Sequence, residues 1–102
     1  MLTLGLLATL EAKPDHIDEL QELLTSSLAL AEREEGTVVW FALRLGPTTF
    51  GIFDAFGSDA DRRAHLEGRI AATLLAEAPR LLAREPDIRP VDVLAAKVPG
   101  RR

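Results

Sequence analysis

Apolar side chains alternate along the first stretch of the chain. Every second residue from Leu2 to Ala12 is leucine or alanine, and this period of two predicts a strand with one strongly apolar face. From Pro14 to about Glu34 the apolar residues recur every three or four positions, which predicts a single helix with one apolar stripe. Gly36 then follows as the expected C-cap of that helix.

Two strands, Thr37 to Leu45 and Thr48 to Phe56, are predicted on either side of the turn signal Gly46-Pro47. Both strands are apolar on both faces, whereas a strand with one face in water normally alternates apolar with polar residues. We therefore expect one face of this hairpin to pack against the helices. The other face needs a partner, because the chain has no further elements to cover it.

The second helical region begins after Ser58, which precedes Asp61 by three residues and is predicted to be the N-cap of a capping box. A helix is expected from Asp59 to about Gly68, where glycine breaks or bends it, and a further helical segment from Arg69 to Glu77. Pro79 is expected to limit that segment, because proline has no backbone N–H to continue the helical hydrogen bonds. A short turn of helix is expected to follow over Ala78 to Arg84.

A last strand is predicted from Ile88 to Val98, with Pro90 indicating a sheet edge or a bulge near its start. The order β-α-β-β-α-β predicts an α+β fold of the ferredoxin-like type, a sandwich in which the helices cover one face of a four-stranded antiparallel sheet. Residues 1–98 are expected to form a single domain and residues 99–102 a frayed tail. The uncovered apolar face predicts a homodimer.

The composition excludes several classes of site and partner. The chain has no cysteine, which rules out disulfides, thiolate nucleophiles and iron–sulfur clusters, and with only two histidines we expect neither a metal nor a cofactor. Acidic and basic residues are mixed, with a net charge of -4, so no nucleic acid is expected. The first ten residues lack a positively charged region, so no membrane partner is expected and the cytoplasm is the expected location.

His65 is the leading candidate for chemistry, because it lies within the second helical region and histidine titrates near neutral pH. It is interpreted either as a general base, or as a residue that orients a substrate oxygen, or as a half-buried histidine with a hydrogen bond to the sheet or to solvent. By contrast, the charged run Glu32 to Glu35 is interpreted as the solvated end of the first helix.

Aromatic and charged residues of the hairpin are candidates for substrate binding. Trp40 and Phe41 lie on opposite faces of one strand, so one should face the helices and the other the partner; they either line a pocket for an aromatic ligand or belong to plain core. Arg44 and Asp54 lie in otherwise apolar strands and need partners if buried. Either they pair across the hairpin, or Arg44 anchors an acidic ligand. The candidate substrate-binding residues are Trp40, Phe41, Arg44, Phe53 and Asp54.

Three segments of the chain resemble the antibiotic biosynthesis monooxygenase family. They are Gly36 to Leu45, Thr49 to Phe56 and Ala64-His65-Leu66; the first and last strands agree with the family too. The resemblance implies a dimeric α+β barrel. It also implies an activity, since characterised members include cofactor-independent monooxygenases that oxidise quinols and polyketide phenols, and His65 matches a histidine common in the second helix of the family.

Other members of that family degrade haem, and the chain departs from their pattern. Leu7 replaces their first-strand asparagine, and Leu75 lies near the position of their iron-ligating histidine. The chain also has no tyrosine, although a tyrosine helps to hold substrate in some phenol-oxidising members. The resemblance therefore implies a monooxygenase for a small quinol or phenol, with His65 as base or anchor. The alternatives are a non-catalytic or stress-associated module that binds a small aromatic or quinol-like ligand, and a purely structural dimer.

Overall fold

The computed structural model describes residues 2–100, which form one sheet and four helical segments. The strands are β1 (Leu4–Glu11), β2 (Thr37–Arg44), β3 (Thr49–Phe56) and β4 (Asp87–Asp92). The helical segments are α1 (Ile17–Ser26), α2 (Leu28–Glu32), α3 (Asp59–Leu66) and α4 (Arg69–Leu81). Residues 101 and 102 of the predicted frayed tail lie outside the described residues.

The strand order across the sheet is β2-β3-β1-β4, and every neighbouring pair is antiparallel. This order confirms the predicted ferredoxin-like α+β fold. Strands β1 and β3 occupy the centre of the sheet, while β2 and β4 form its edges. The edge position of β4 agrees with the expectation from Pro90, because proline cannot donate to a hydrogen-bond ladder.

The buried core lies between the sheet and the helices. Leu10 and Phe50 are register partners on β1 and β3, and both are buried. Leu20 of α1 and Leu74 of α4 belong to the same apolar cluster. Alternate residues of a strand point to opposite faces of a sheet. The period of two in the sequence therefore correctly predicted that Leu10 and Phe50 lie on the face of the sheet that packs against the helices.

The opposite face of the sheet, here called the open face, carries large apolar side chains without cover from the described residues 2–100. Phe41 is 53% exposed, and Leu7, Leu43 and Leu45 are also exposed. Phe53 pairs with Phe41 across β3 and β2 and lies half-buried among them. The apolar second face that the sequence predicts for the hairpin is therefore present.

A β-bulge interrupts β2 between Thr37 and Val39. Thr37 pairs with Phe56 and Val39 with Ala55, so two residue steps on β2 match one step on β3. Because of the extra residue, Thr37 and Trp40 both face the helices, although their odd and even positions would place them on opposite faces of a regular strand. Below, this feature is called the β2 bulge.

The predicted single helix from Pro14 to Glu34 is wrong in its start and its continuity. The helix begins at Ile17, breaks at Ser27 and ends at Glu32. The break coincides with a side-chain hydrogen bond, in which the Ser27 hydroxyl donates to the carbonyl of Leu23 at 2.8 Å. A serine hydroxyl that bonds to the preceding turn competes with regular helical geometry.

Gly36 is not the C-cap of this helical region, because Arg33 occupies that position. Gly36 instead allows a close approach between the loop before β2 and helix α3. A Cβ atom at Gly36 would lie 2.6 Å from Oδ1 of Asp61 on α3. The glycine therefore lets the loop that carries Glu34 pack directly against α3.

Helix α4 continues without a break through Pro79 to Leu81, whereas the sequence predicted a segment limited by Pro79 and a separate short turn of helix over Ala78 to Arg84. The last turn is held from outside the helix: Lys13 donates from Nζ to the carbonyl of Pro79 at 2.9 Å and from its backbone N–H to Leu81. Leu81 and Leu82 are also buried in the core. Burial and these contacts outweigh the hydrogen bond that proline removes. The predicted break at Gly68 is confirmed.

Strand β4 is shorter than predicted and ends at Asp92 instead of Val98. Asp92 pairs with Leu4, which is the first residue of β1, and one further backbone bond joins Val93 to Thr3. Beyond this point β1 offers no ladder for the alternating residues 94–98 to join. Within residues 2–100, no helix has the length and apolar composition needed to cross a membrane.

Candidate functional site

His65 lies near the end of α3 and points towards the sheet. The helix begins as predicted, with the Ser58 hydroxyl accepting from the backbone N–H of Asp61 at 3.1 Å. This cap fixes the helix start two turns before His65. The imidazole is only 7% exposed, and its ring lies 5.3 Å from that of Phe56 on β3. It is therefore a buried histidine and not a solvated one.

Both ring nitrogens of His65 contact carboxylates. Nδ1 lies 2.6 Å from Oε1 of Glu34, which belongs to the loop before β2. Nε2 lies 2.9 Å from Oδ2 of Asp54 on the central strand β3. Asp54 is 1% exposed, whereas the Glu34 side chain is 22% exposed. The imidazole thus joins a buried acid to a partly accessible one.

Thr37 completes this arrangement. Its hydroxyl donates to Oε1 of Glu34 at 2.7 Å, the same oxygen that contacts His65. Thr37 reaches that position because the β2 bulge turns it towards the helices. We call Glu34, Thr37, Asp54 and His65 the acid–histidine cluster.

The surroundings of His65 favour its protonated form. Burial by itself lowers the pKa of the imidazole, but the hydrogen bonds and charges of Asp54 and Glu34 together outweigh burial and raise the pKa above its ordinary value of 6.5. A histidine can donate from both nitrogens only as the imidazolium. The two short contacts to carboxylates are therefore those expected of a charged His65.

An open cleft of about 350 Å³ borders the acid–histidine cluster. Glu34, Thr37 and His65 lie in its wall, while Asp54 is behind His65 and does not line it. Arg33 and Arg69 also border the cleft. The remaining lining residues are Leu30, Glu35, Gly36, Asp61, Ala64 and Gly68. The cleft is the place where a ligand can approach the cluster from solvent.

The predicted substrate-binding residues lie in three different places. Trp40 faces the helices and is the register partner of Asp54. Phe41 and Phe53 pair on the open face, on the other side of the sheet. Arg44 is at the far end of β2. The structure therefore brings His65, Asp54 and Trp40 to one side of the sheet. The role of all five residues in substrate binding stays a prediction.

The pairing of Arg44 with Asp54, which the sequence left open, does not form. Arg44 is opposite Phe50, and its guanidinium carbon lies 5.1 Å from the centre of that ring. The guanidinium donates to Oε1 of Gln21 at 2.7 Å and to the carbonyl of Pro47 at 2.8 Å. Arg44 therefore tethers the hairpin turn to α1, and the partner of Asp54 is His65.

Two buried polar atoms, one within the acid–histidine cluster and one beside it, have no hydrogen-bond partner within the described residues. They are Nε1 of Trp40 and Oδ1 of Asp54. Most buried polar groups in native proteins are paired, so each such atom requires an explanation. One is a donor and the other an acceptor, and they belong to neighbouring positions of β2 and β3.

Sequence reasoning missed Glu34 and Thr37. Glu34 belongs to the charged run that was interpreted as a solvated helix end, and this interpretation is wrong for Glu34 because its carboxylate turns inward to His65. Thr37 was assigned only to a strand. No spacing in the sequence marks either residue, since their approach to His65 depends on the β2 bulge and on the contact at Gly36. Among residues 2–100, no group of three or more histidine, aspartate or glutamate side chains is placed to hold a metal ion.

No protein-family model matches the chain, and no curated protein sequence matches it. Solved structures do. The NE2512 protein of unknown function from Nitrosomonas europaea is 51% identical, with a TM-score of 0.96 over 99% of this chain and 98% of that one. A "putative antibiotic biosynthesis monooxygenase" from the same organism is 19% identical, with a TM-score of 0.80 over 90% of both chains. A protein of the same description from Deinococcus radiodurans is 18% identical, with a TM-score of 0.79 over 93% and 96%.

Proposed function

Because this chain belongs to one family with the NE2512 protein and has the fold of the antibiotic biosynthesis monooxygenases, we propose that it is a cofactor-independent monooxygenase acting on a small quinol or phenol. The observation that carries the proposal is the acid–histidine cluster in the wall of an open cleft. Chemistry of this kind needs a proton acceptor next to a binding site for the substrate.

The proton acceptor in this proposal is the carboxylate of Glu34. Both nitrogens of His65 are engaged by carboxylates, so the imidazole has no free lone pair to offer a substrate. Glu34 is the accessible acid of the cluster and lines the cleft. His65 then serves as a positioning residue, whose Nδ1–H fixes the orientation of the Glu34 carboxylate.

Loss of the hydroxyl proton prepares the substrate for dioxygen, because a phenolate gives up an electron far more readily than a phenol. Arg33 and Arg69 border the cleft, and their positive charges stabilise the phenolate and the superoxide that electron transfer produces. The cleft also holds the substrate ring close to the dioxygen, which favours recombination of the two radicals.

The reaction balances without an added reductant. One oxygen atom of dioxygen forms a bond to a ring carbon of the quinol and replaces its hydrogen, and the other leaves as water. The quinol is oxidised to a hydroxyquinone and supplies all four electrons that dioxygen accepts. The protein contributes deprotonation, orientation and partial exclusion of water.

Oxygen uptake tests the proposal. The purified protein is mixed with a panel of hydroquinones and naphthols, without metal, flavin or nicotinamide, and the rate is corrected for autoxidation. We expect an enhanced rate with at least one member of the panel. Rates equal to autoxidation for the whole panel would exclude the monooxygenase function.

We further propose that the protein is a homodimer joined through its open face. Phe41, Leu43 and Leu45 expose contiguous apolar surface there, and such surfaces on small proteins mark association sites. A symmetric pair buries the same patch on both copies. A second copy of the chain is therefore one expected partner, and a small aromatic ligand is the other. The cytoplasmic location remains a prediction.

A non-catalytic module that binds a small ligand is the competing function. The observation that favours it is the full engagement of His65 by two acids, one of them almost inaccessible, since such a cluster also serves to hold α3 onto the sheet. The two functions differ in one measurement. A binding module shows saturable binding of the phenol in the absence of oxygen but no oxygen uptake above autoxidation.

A further inference from the structure

Trp40 and Asp54 present a donor and an acceptor that nothing in the described residues uses. Nε1 of Trp40 and Oδ1 of Asp54 are both inaccessible to solvent and unpaired. A buried polar group without a hydrogen bond costs free energy relative to water, and a buried carboxylate costs more than a neutral group. Two such costs at adjacent positions indicate that one binding event relieves both.

The two side chains are placed to act together. Trp40 and Asp54 are direct register partners on β2 and β3, so their Cβ atoms are about 5 Å apart and point to the same face. The other carboxylate oxygen of Asp54, Oδ2, already contacts His65 at 2.9 Å. This contact holds the carboxylate in a fixed orientation and leaves Oδ1 for a second donor.

The chemistry of the pair selects its ligand. The indole N–H only donates, and a carboxylate oxygen paired with a charged histidine only accepts. A single group that satisfies both must accept one hydrogen bond and donate another from the same atom. A hydroxyl group does so, whereas an ether, a ketone or a simple cation meets only one of the two demands.

We propose that Trp40 Nε1 and Asp54 Oδ1 form a binding site for one hydroxyl group. The hydroxyl accepts from the indole and donates to the carboxylate. It comes either from a buried water, which typically makes about three such bonds, or from a small phenolic ligand. The site goes beyond the proposed oxidation, because it requires neither dioxygen nor turnover.

Trp40 is the only tryptophan in the chain, so its indole N–H gives a single resonance in a nitrogen–proton NMR spectrum. Hydroquinone is added under anaerobic conditions, with 1,4-dimethoxybenzene as the matched probe that has no hydroxyl proton. If the hydroxyl is phenolic, hydroquinone shifts the indole resonance and dimethoxybenzene does not. Asp54→Asn and Trp40→Phe then each weaken hydroquinone binding, measured by calorimetry, by about two- to tenfold.

If the hydroxyl is that of water, neither probe shifts the resonance. The ligand-free protein then shows a cross-peak between the indole proton and a long-lived water, and a high-resolution crystal structure places an ordered water within hydrogen-bond distance of both atoms. A direct hydrogen bond between Nε1 and Oδ1, or a dry pair with no response to either probe, would overturn the proposal. None of these measurements depends on oxygen uptake. Failure of the proposed hydroxyl-binding site can therefore be distinguished from failure of the proposed monooxygenase function.

Discussion

Nε2 of His65 lies 2.9 Å from Oδ2 of Asp54, and this contact ties helix α3 to the central strand of the sheet. The two side chains are almost inaccessible to solvent, so the contact is poorly screened. The same imidazole reaches Glu34 with its other nitrogen. One side chain therefore joins a helix, a strand and a loop that are distant in sequence.

Replacing His65 by alanine is expected to destabilise the fold. The substitution leaves the Asp54 carboxylate buried without its partner, and removal of one member of a buried ion pair typically costs about 3–5 kcal/mol. The measurement is the free energy of unfolding from urea denaturation. Arg63→Ala is the matched control on the same helix, because its exposed ion pair with Asp59 is worth less than about 1 kcal/mol. Equal stabilities of the two variants would contradict the structural role of His65.

The stability that His65 contributes should depend on pH. Its pKa is raised in the folded protein above the ordinary value of 6.5, so the folded state holds this proton more tightly than the unfolded state. The contribution is complete below about pH 6.5 and is lost as the pH rises through the folded-state pKa. We expect the difference in unfolding free energy between wild type and His65→Gln to shrink as the pH increases. A difference that is constant from about pH 6 to pH 9 would show that the pKa is not raised.

Glu34→Gln should reduce oxygen uptake with the best substrate of the panel by about 10²–10⁴-fold, the usual contribution of a positioned base. Glu35→Gln is the matched control, since Glu35 also lines the cleft but does not contact His65. The rates are compared under saturating substrate after circular dichroism has verified the fold. Loss of activity in both variants, or in neither, would remove Glu34 from the role of proton acceptor.

Phe41→Glu on the open face should convert a dimer into monomers, because a charge in the centre of an apolar interface is left without a partner. Light scattering would then give the 11.1 kDa of one chain, against twice that mass for wild type. Leu75→Glu is the control, since Leu75 is 55% exposed but lies on α4. Monomeric wild type at micromolar concentration would refute the dimer itself.

The periodicity of the sequence predicted the order of the elements and the faces of the strands. It assigned Trp40 and Phe41 to opposite faces, and the structure adds that Trp40 faces the helices. These features depend on local patterns of apolar residues, which the backbone geometry of each element enforces.

The site was predicted only in part, because it depends on contacts between distant segments. His65 was identified from its residue type. For Asp54, the sequence suggested an ion pair with Arg44 as one alternative, whereas its partner in the structure is His65. The sequence could not decide this, since cross-strand register cannot be derived from composition. Glu34 and Thr37 were missed because one inserted residue in β2 decides which way Thr37 points. The sequence predicted helical structure on both sides of Pro79 but not one continuous helix, because Lys13 supports that turn from another part of the chain.

Both edges of the sheet carry an interruption, Pro90 in β4 and the β2 bulge. A proline and a bulge each obstruct the addition of another strand to an edge. Copies of this chain are therefore hindered from extending the sheet end to end, which is the route to open-ended fibres. Stacking of two open faces needs no free edge and leaves no equivalent surface for a third copy, so the architecture favours an assembly that terminates.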